Sequence, residues 1–307
     1  MDRNLQKTSM IISMMGNFGL SLGQTCDEDH IAKGFEQLGI EVFKNEIPEG
    51  VDLILTFKNK KYGPNDVKEW KKKAPVWVWS FDNMERFQWF YDYAKECDLW
   101  LGEELGRREY LKQKGLPFYY FPYHAVPPDI FRPIPQAKIY DVVFTGTPYS
   151  ADYKPDKFEL LKAIQDHFDL HIFGNNRQGW ENRGFKNVHD AKFDSELSEI
   201  YSQSRVVVAI SNCQCEGYWS IRTSQALMCG SCVVARFTPQ MEKELRDSVV
   251  YFEDIDGCLK KIDYLLNHQK EAEAIAQRGY LYARACLTTV QRLKELLLLY
   301  EFRGSLQ

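Results

Sequence analysis

The sequence predicts an α/β protein made of two doubly wound parallel-sheet domains in tandem. Three features carry that prediction. Short apolar runs alternate with amphipathic stretches almost throughout, several of those runs are apolar without interruption, and a proline-dense stretch breaks the pattern once. Strands alternating with helices build a parallel sheet covered on both faces, and strands buried on both sides read as continuous apolar runs. A chain of 307 residues accommodates two such domains.

In the first part, strands are expected over 10–15, 40–43, 53–57, 76–80, 99–101 and 118–121, with helices over 29–38, 65–73, 84–94 and 104–114. Pro122, Pro127, Pro128, Pro133 and Pro135 then forbid a regular helix and stiffen an extended link. Alternation restarts with strands over 141–145, 170–173, 206–210, 232–235 and 249–252. Helices are expected over 157–167, 195–203, 222–228, 242–246, 255–267, 270–284 and 288–302. The resulting division is 1–121 for the first domain, 122–139 for a hinge, 140–285 for the second domain and 286–307 for a terminal helix. Lys71-Lys72-Lys73 reads as a solvated helix end, where cations complement the dipole.

Composition sets limits. Lysine plus arginine is 39 against 43 aspartate plus glutamate, a net charge of −4, which excludes a strongly cationic protein built to coat nucleic acid. A nucleic-acid acceptor receives no support from this balance, though a local basic patch is compatible with it. No apolar run approaches the roughly 20 residues of a membrane span. The start of the chain lacks a signal peptide's apolar core, so a cytoplasmic protein is expected.

Ligands of parallel sheets bind beyond the carboxyl ends of the strands, so the loops that follow strands hold the candidates. The first, from Gly16 to Gly23, is glycine-rich and could bring backbone amides to a ligand, but its spacing is not that of a dinucleotide fingerprint. Asp27-Glu28-Asp29-His30 offers hard oxygens for a divalent cation, yet acidic residues at a helix start are explained by capping and the dipole. Asp82, after the fourth strand, is a candidate general base or a helix cap, and His124 is a candidate base or phosphate contact at the hinge. In the second half, Gly146, Thr147 and Gly174 follow strands where a phosphate or ribose could lie. The densest polar loop holds Asn212, Glu216, Tyr218, Ser220, Arg222, Thr223 and Gln225. There a helix N-terminus and a guanidinium together form an anion site. Cys213, Cys215, Cys229 and Cys232 could imitate a four-thiolate zinc site, but Cys229 and Cys232 straddle Gly230 at a helix-to-strand turn and read as small buried residues.

In order along the chain come Thr145-Gly146, Ile172-Phe173-Gly174, Leu197 with Ile200-Tyr201, and Ser220-x-Arg222-x-x-Gln225-Ala226-Leu227-x-Cys229-Gly230 before Val233-Val234. This series resembles the donor-binding half of GT-B glycosyltransferases, the group-1, CgeB-like type. The segment 121–133 resembles that family's linker. The resemblance spans 118–302; the first half matches as architecture, with Trp79-Ser80-Phe81-Asp82 its most similar stretch. It implies two Rossmann-like domains facing across a cleft, with the terminal helix crossing back to the first. A nucleotide-activated sugar, UDP- or GDP-linked, would be held by the second domain as co-substrate. An acceptor carbohydrate or other hydroxyl compound would be held by the first.

On that resemblance Arg222, the helix N-terminus and the Gly146-Thr147 loop would stabilise the departing diphosphate without a metal or other cofactor, and Asp82 or His124 would serve an inverting reaction as base. The family's ribose-binding glutamate is replaced by Gln225, and Glu216 lies near the place of a second family glutamate. An amide holds a diol more weakly than a carboxylate does. That difference motivates an alternative, a nucleotide-binding protein without turnover; the four-cysteine zinc protein is a lesser one.

Overall fold

The computed structural model describes residues 10–21, 24–57, 61–80, 87–103, 105–148, 156–211 and 216–304. The chain divides into two compact units, Met1–Tyr123 with Arg292–Gln307, and His124–Gln291.

The first unit contains β1 (Ile11–Met15), β2 (Leu20–Ser21), β3 (Gln24–Thr25), α1 (Asp27–Gln37), β4 (Glu41–Lys44), β5 (Leu53–Phe57), α2 (Pro64–Trp70), β6 (Val76–Trp79), α3 (Phe87–Ala94), β7 (Leu99–Gly102), α4 (Arg108–Gln113) and β8 (Phe118–Tyr120). Its main sheet is parallel, in the order β4-β1-β5-β6-β7-β8. Every residue of β5, β6 and β7 is buried, as their unbroken apolar runs require. Ile54, Val76, Val78 and Trp100 form the core with Val67 and Trp70 of α2. The sequence pattern missed β2 and β3, a two-residue antiparallel pair inside the glycine-rich loop. The helix expected over 104–114 occupies only Arg108–Gln113.

The second unit continues with β9 (Tyr140–Thr145), α5 (Lys157–His167), β10 (Leu170–Gly174), α6 (Arg177–Glu181), β11 (Asn187–Asp190), α7 (Asp194–Ser202), β12 (Ser204–Ala209), α8 (Ile221–Met228), β13 (Cys232–Arg236), α9 (Pro239–Leu245), β14 (Val250–Phe252), α10 (Ile255–Asn267), α11 (Gln269–Cys286) and α12 (Thr289–Gly304), the last belonging to the first unit from Arg292 on. Its sheet is parallel in the order β11-β10-β9-β12-β13-β14. The chain winds outward from β9 to β11, then reverses and winds from β12 to β14, so a switch point lies between β9 and β12. Sequence patterning missed α6 and β11. Asn187–Asp190 is an edge strand with one buried residue, too few for an apolar run.

Two boundaries differ from those expected. The proline-dense stretch is not a separate hinge: from His124 on it packs into the second unit. Phe131 joins the apolar cluster of Trp219 and Leu227, and Ser198 Oγ donates to the Ile130 carbonyl (2.9 Å). Val126 donates to the Leu287 carbonyl (2.9 Å) and accepts from the Thr289 amide (3.2 Å). The return to the first unit comes at Arg292, not at residue 286. From there Leu293 and Leu296 are fully buried, and Tyr300 Oη donates to the Asp52 carbonyl (3.0 Å).

Candidate active site

The loop after β9 is built by close backbone approach. Gly146 N donates to the Phe173 carbonyl (3.0 Å), and a Cβ on Gly174 would stand 1.9 Å from the Gly146 oxygen. Only glycine fits at 174, so its role is to let the loops after β9 and β10 touch. Both carbonyls of the β9 loop are held from within. Trp180 Nε1 donates to Gly146 O (3.3 Å) and Lys157 Nζ to Thr147 O (2.8 Å).

Lys157 is 3% exposed and opens α5, with its ammonium over the rings of Phe144 (5.4 Å) and Trp180 (5.4 Å). A cation at a helix N-terminus opposes the dipole; carbonyl and ring faces compensate it here. That misplaced charge was the signal in the sequence, and the apolar periodicity of α5 hid it. Beside it, Asp156 Oδ2 accepts from Arg236 Nη2 at the end of β13.

Across the switch point, Ser220 caps α8, its Oγ accepting from the Arg222 amide (3.4 Å). Ser211 Oγ accepts from the Ser220 amide (3.1 Å) and ties the cap to the loop after β12. Arg222 Nη2 donates to the Ile210 carbonyl (3.3 Å), while its Nε is buried without a hydrogen-bond partner among the described residues. The guanidinium carbon lies 3.9 Å from where a Gly146 Cβ would be. The structure therefore gathers Gly146, Thr147, Lys157, Ser220 and Arg222 at the carboxyl edge of this sheet.

The other expected residues are distributed differently. Gln225 is half-buried, one turn beyond Arg222, and Glu216 is exposed. Tyr218 is buried, as is Thr223, so the Thr223 side chain turns inward. Ser224 Oγ donates to the His124 carbonyl (2.5 Å), and the His124 ring, 1% exposed, packs on Trp219 with centroids 3.7 Å apart. His124 thus joins the packing beneath α8. Asp82, Asn212, Cys213 and Cys215 lie outside the described residues. Burial pushes the Cys229 and Cys232 thiols up to about 12, against the thiolate form a metal needs. Among the described residues no group of three or more His, Cys, Asp or Glu could hold a metal ion.

In the first unit the glycine-rich loop is already bonded. The amides of Gly16, Asn17 and Gly19 donate to Asn45 Oδ1 (3.1 Å), Glu28 Oε1 (3.3 Å) and Asp29 Oδ2 (2.5 Å). Gly16, expected among the donor-binding residues, thus has its amide occupied, and two carboxylates line its loop. A Cβ there would stand 3.0 Å from Glu28 Cγ, so Gly16 makes room for Glu28. Glu28 is 8% exposed, and burial holds its carboxyl above the usual carboxylate range. Sequence reasoning saw Glu28 as part of a helix cap. Besides a first-turn amide, the carboxyl also accepts from Asn17 in the preceding loop, which only tertiary contact could reveal.

With this geometry in place, solved structures with the same arrangement can be named. A sucrose-phosphate synthase from Thermosynechococcus elongatus superposes with TM-score 0.68 at 11% identity, over 97% of this chain and 100% of that one. The fold is that of the GT-B glycosyltransferases. HepE from Anabaena, in complex with UDP, gives TM-score 0.65 at 12% identity over 95% of this chain and 99% of its own. T4 phage BGT in complex with its UDP-glucose substrate gives 0.61 at 14% identity over 96% and 99%. Residues 157–298 match the family model described as Glycosyl transferase-like, which takes in α5, α8 and most of α12 of this GT-B protein. No curated protein sequence matches the chain. Among the described residues no helix is long and apolar enough to cross a membrane.

Proposed function

We propose that this GT-B protein transfers a glycosyl group from a nucleoside-diphosphate sugar to an acceptor hydroxyl, with the donor held by the second unit. The observation that carries the reading is the meeting of Arg222, the capped N-terminus of α8 and the Gly146-Thr147 loop at the switch point between β9 and β12. As the glycosidic bond breaks, negative charge grows on the diphosphate. Arg222 and Lys157 stabilise that charge in place before reaction, so no reorganisation is required. Transfer in this scheme requires no metal, and Gln225 hydrogen-bonds the ribose. UDP is the first nucleotide to test, because HepE and T4 phage BGT are solved with UDP and UDP-glucose.

The acceptor belongs to the first unit in this scheme, and a carboxylate there takes its proton. Asp82 is one candidate; Glu28 is a second, because it is a buried carboxyl beside the loop after β1 and burial raises its pKa, which makes its carboxylate the stronger base. Isothermal titration with UDP and GDP, beside a donor-hydrolysis assay with and without EDTA, tests the proposal. Binding with EDTA-insensitive hydrolysis is expected. The absence of nucleotide binding overturns the assignment. Binding without hydrolysis or transfer to any hydroxyl favours the non-catalytic reading that Gln225 motivates.

A further inference from the structure

A cavity of 420 Å³ opens at the amino-terminal edge of the first unit's sheet, where chain enters β6 and β7. Its lining includes Lys71, Lys72, Lys73, Arg303, Trp77 and Tyr300. Four cations around one cavity are unexpected in a chain of net charge −4. Two of them are compensated: Lys71 pairs with Asp98 (3.0 Å) and Lys72 with Glu69 (2.7 Å). Asp98 is further engaged, accepting the Val76 amide (2.8 Å). Lys73 and Arg303 make no ion pair among the described residues, and Arg303 reaches only the Asp98 carbonyl, at 3.5 Å. The rings of Trp77 and Tyr300, 5.6 Å apart, support the wall near them.

We propose that this cavity, at the amino-terminal edge of the first unit's sheet, binds a phosphate-bearing ligand through Lys73 and Arg303. A lysine ammonium supplies a point charge and a guanidinium a two-pronged donor, the pair that suits phosphate oxygens. The volume is that of a small-ligand site. The turn after α2 carries the lysines and α12 the arginine, so the site exists only because the C-terminal helix belongs to the first unit. The same chemistry is offered by a soluble polyphosphate and by an anionic lipid headgroup.

The test uses the full chain and inorganic tripolyphosphate, titrated at low salt into the native protein, Lys73→Gln/Arg303→Gln and Arg222→Ala. Arg222→Ala, which weakens the separate anion site of the second unit, is expected to keep the binding that Lys73 and Arg303 supply. The double variant is expected to lose about tenfold or more, as removal of two charge-assisted contacts implies. Co-sedimentation with phosphatidylcholine vesicles, with and without phosphatidic acid, separates the sources. Capture by acidic vesicles that the double variant loses assigns a headgroup, and tripolyphosphate binding alone assigns a soluble ligand. Melting curves verify folding. Lys73→Gln alone alters an exposed side chain, and it serves if the double variant melts early. Failure of the native protein to bind either probe, undiminished binding by a folded Lys73/Arg303 variant, or loss of all binding in Arg222→Ala overturns the proposal.

Discussion

The loops after β1 and after β9 occupy equivalent places, each beside the point where its sheet reverses direction, yet they are surrounded by opposite charge. After β1 the amides are bonded, by Asn45, Glu28 and Asp29, and the loop ends up beside two carboxylates. After β9 the Gly146 amide is bonded to the Phe173 carbonyl, the carbonyls are bonded by Trp180 and Lys157, and Arg222 stands close by. One topology therefore yields a loop hostile to anions and a loop suited to them. The difference comes from the residues that open the next helix: acidic in α1, lysine in α5. In the proposed reaction the charged donor goes to the second and the neutral hydroxyl to the first.

The harshest way to break that contrast is Gly174→Ala. A methyl 1.9 Å from a backbone oxygen cannot be absorbed by a side-chain shift, so a loss of about 3 kcal/mol or more is expected in urea unfolding, together with nucleotide binding. Next come Arg222→Ala and Lys157→Met. Each is expected to weaken UDP binding by roughly ten- to a hundredfold, about 1.4–2.8 kcal/mol, in calorimetric titration. Arg222→Ala should leave the melting temperature nearly unchanged.

Glu28→Gln sharpens the comparison from the other side. Because burial raises the native pKa, the folded protein binds that proton more tightly than the unfolded chain. Its stabilising contribution is complete at acid pH and is lost as pH rises through the native pKa. The variant should match the wild type in thermal melts near pH 4 and exceed it at pH 8. Transfer should fall if Glu28 is the base and stay unchanged if Asp82 is. The smallest effect is expected from Gln225→Glu: a carboxylate on the ribose side should tighten UDP binding a few-fold, below about 1 kcal/mol.

Much of this was legible in the residues. Val206-Val207-Val208, Leu53–Phe57 and Val76–Trp79 announce doubly buried strands, and the polar loop running to Arg222 announces the capped start of α8. Edge elements were not legible. β11 buries a single side chain, and β2 and β3 have two residues each, so neither leaves a periodic signal. Nor was the neighbour of Gly174 legible, because the sequence of a close backbone approach is the same whether it meets a phosphate or another loop.

By itself the sequence determined the two parallel sheets, because apolar periodicity and proline punctuation are local properties of the chain. Tertiary structure alone decided which polar groups are free. The amides of the first loop, the carbonyls of the second, the seat of His124 against Trp219 and the cations Lys73 and Arg303 all depend on partners far away in sequence or on the lack of them. Hydrogen-bond and charge satisfaction is settled by whatever folds alongside, and no local pattern records it.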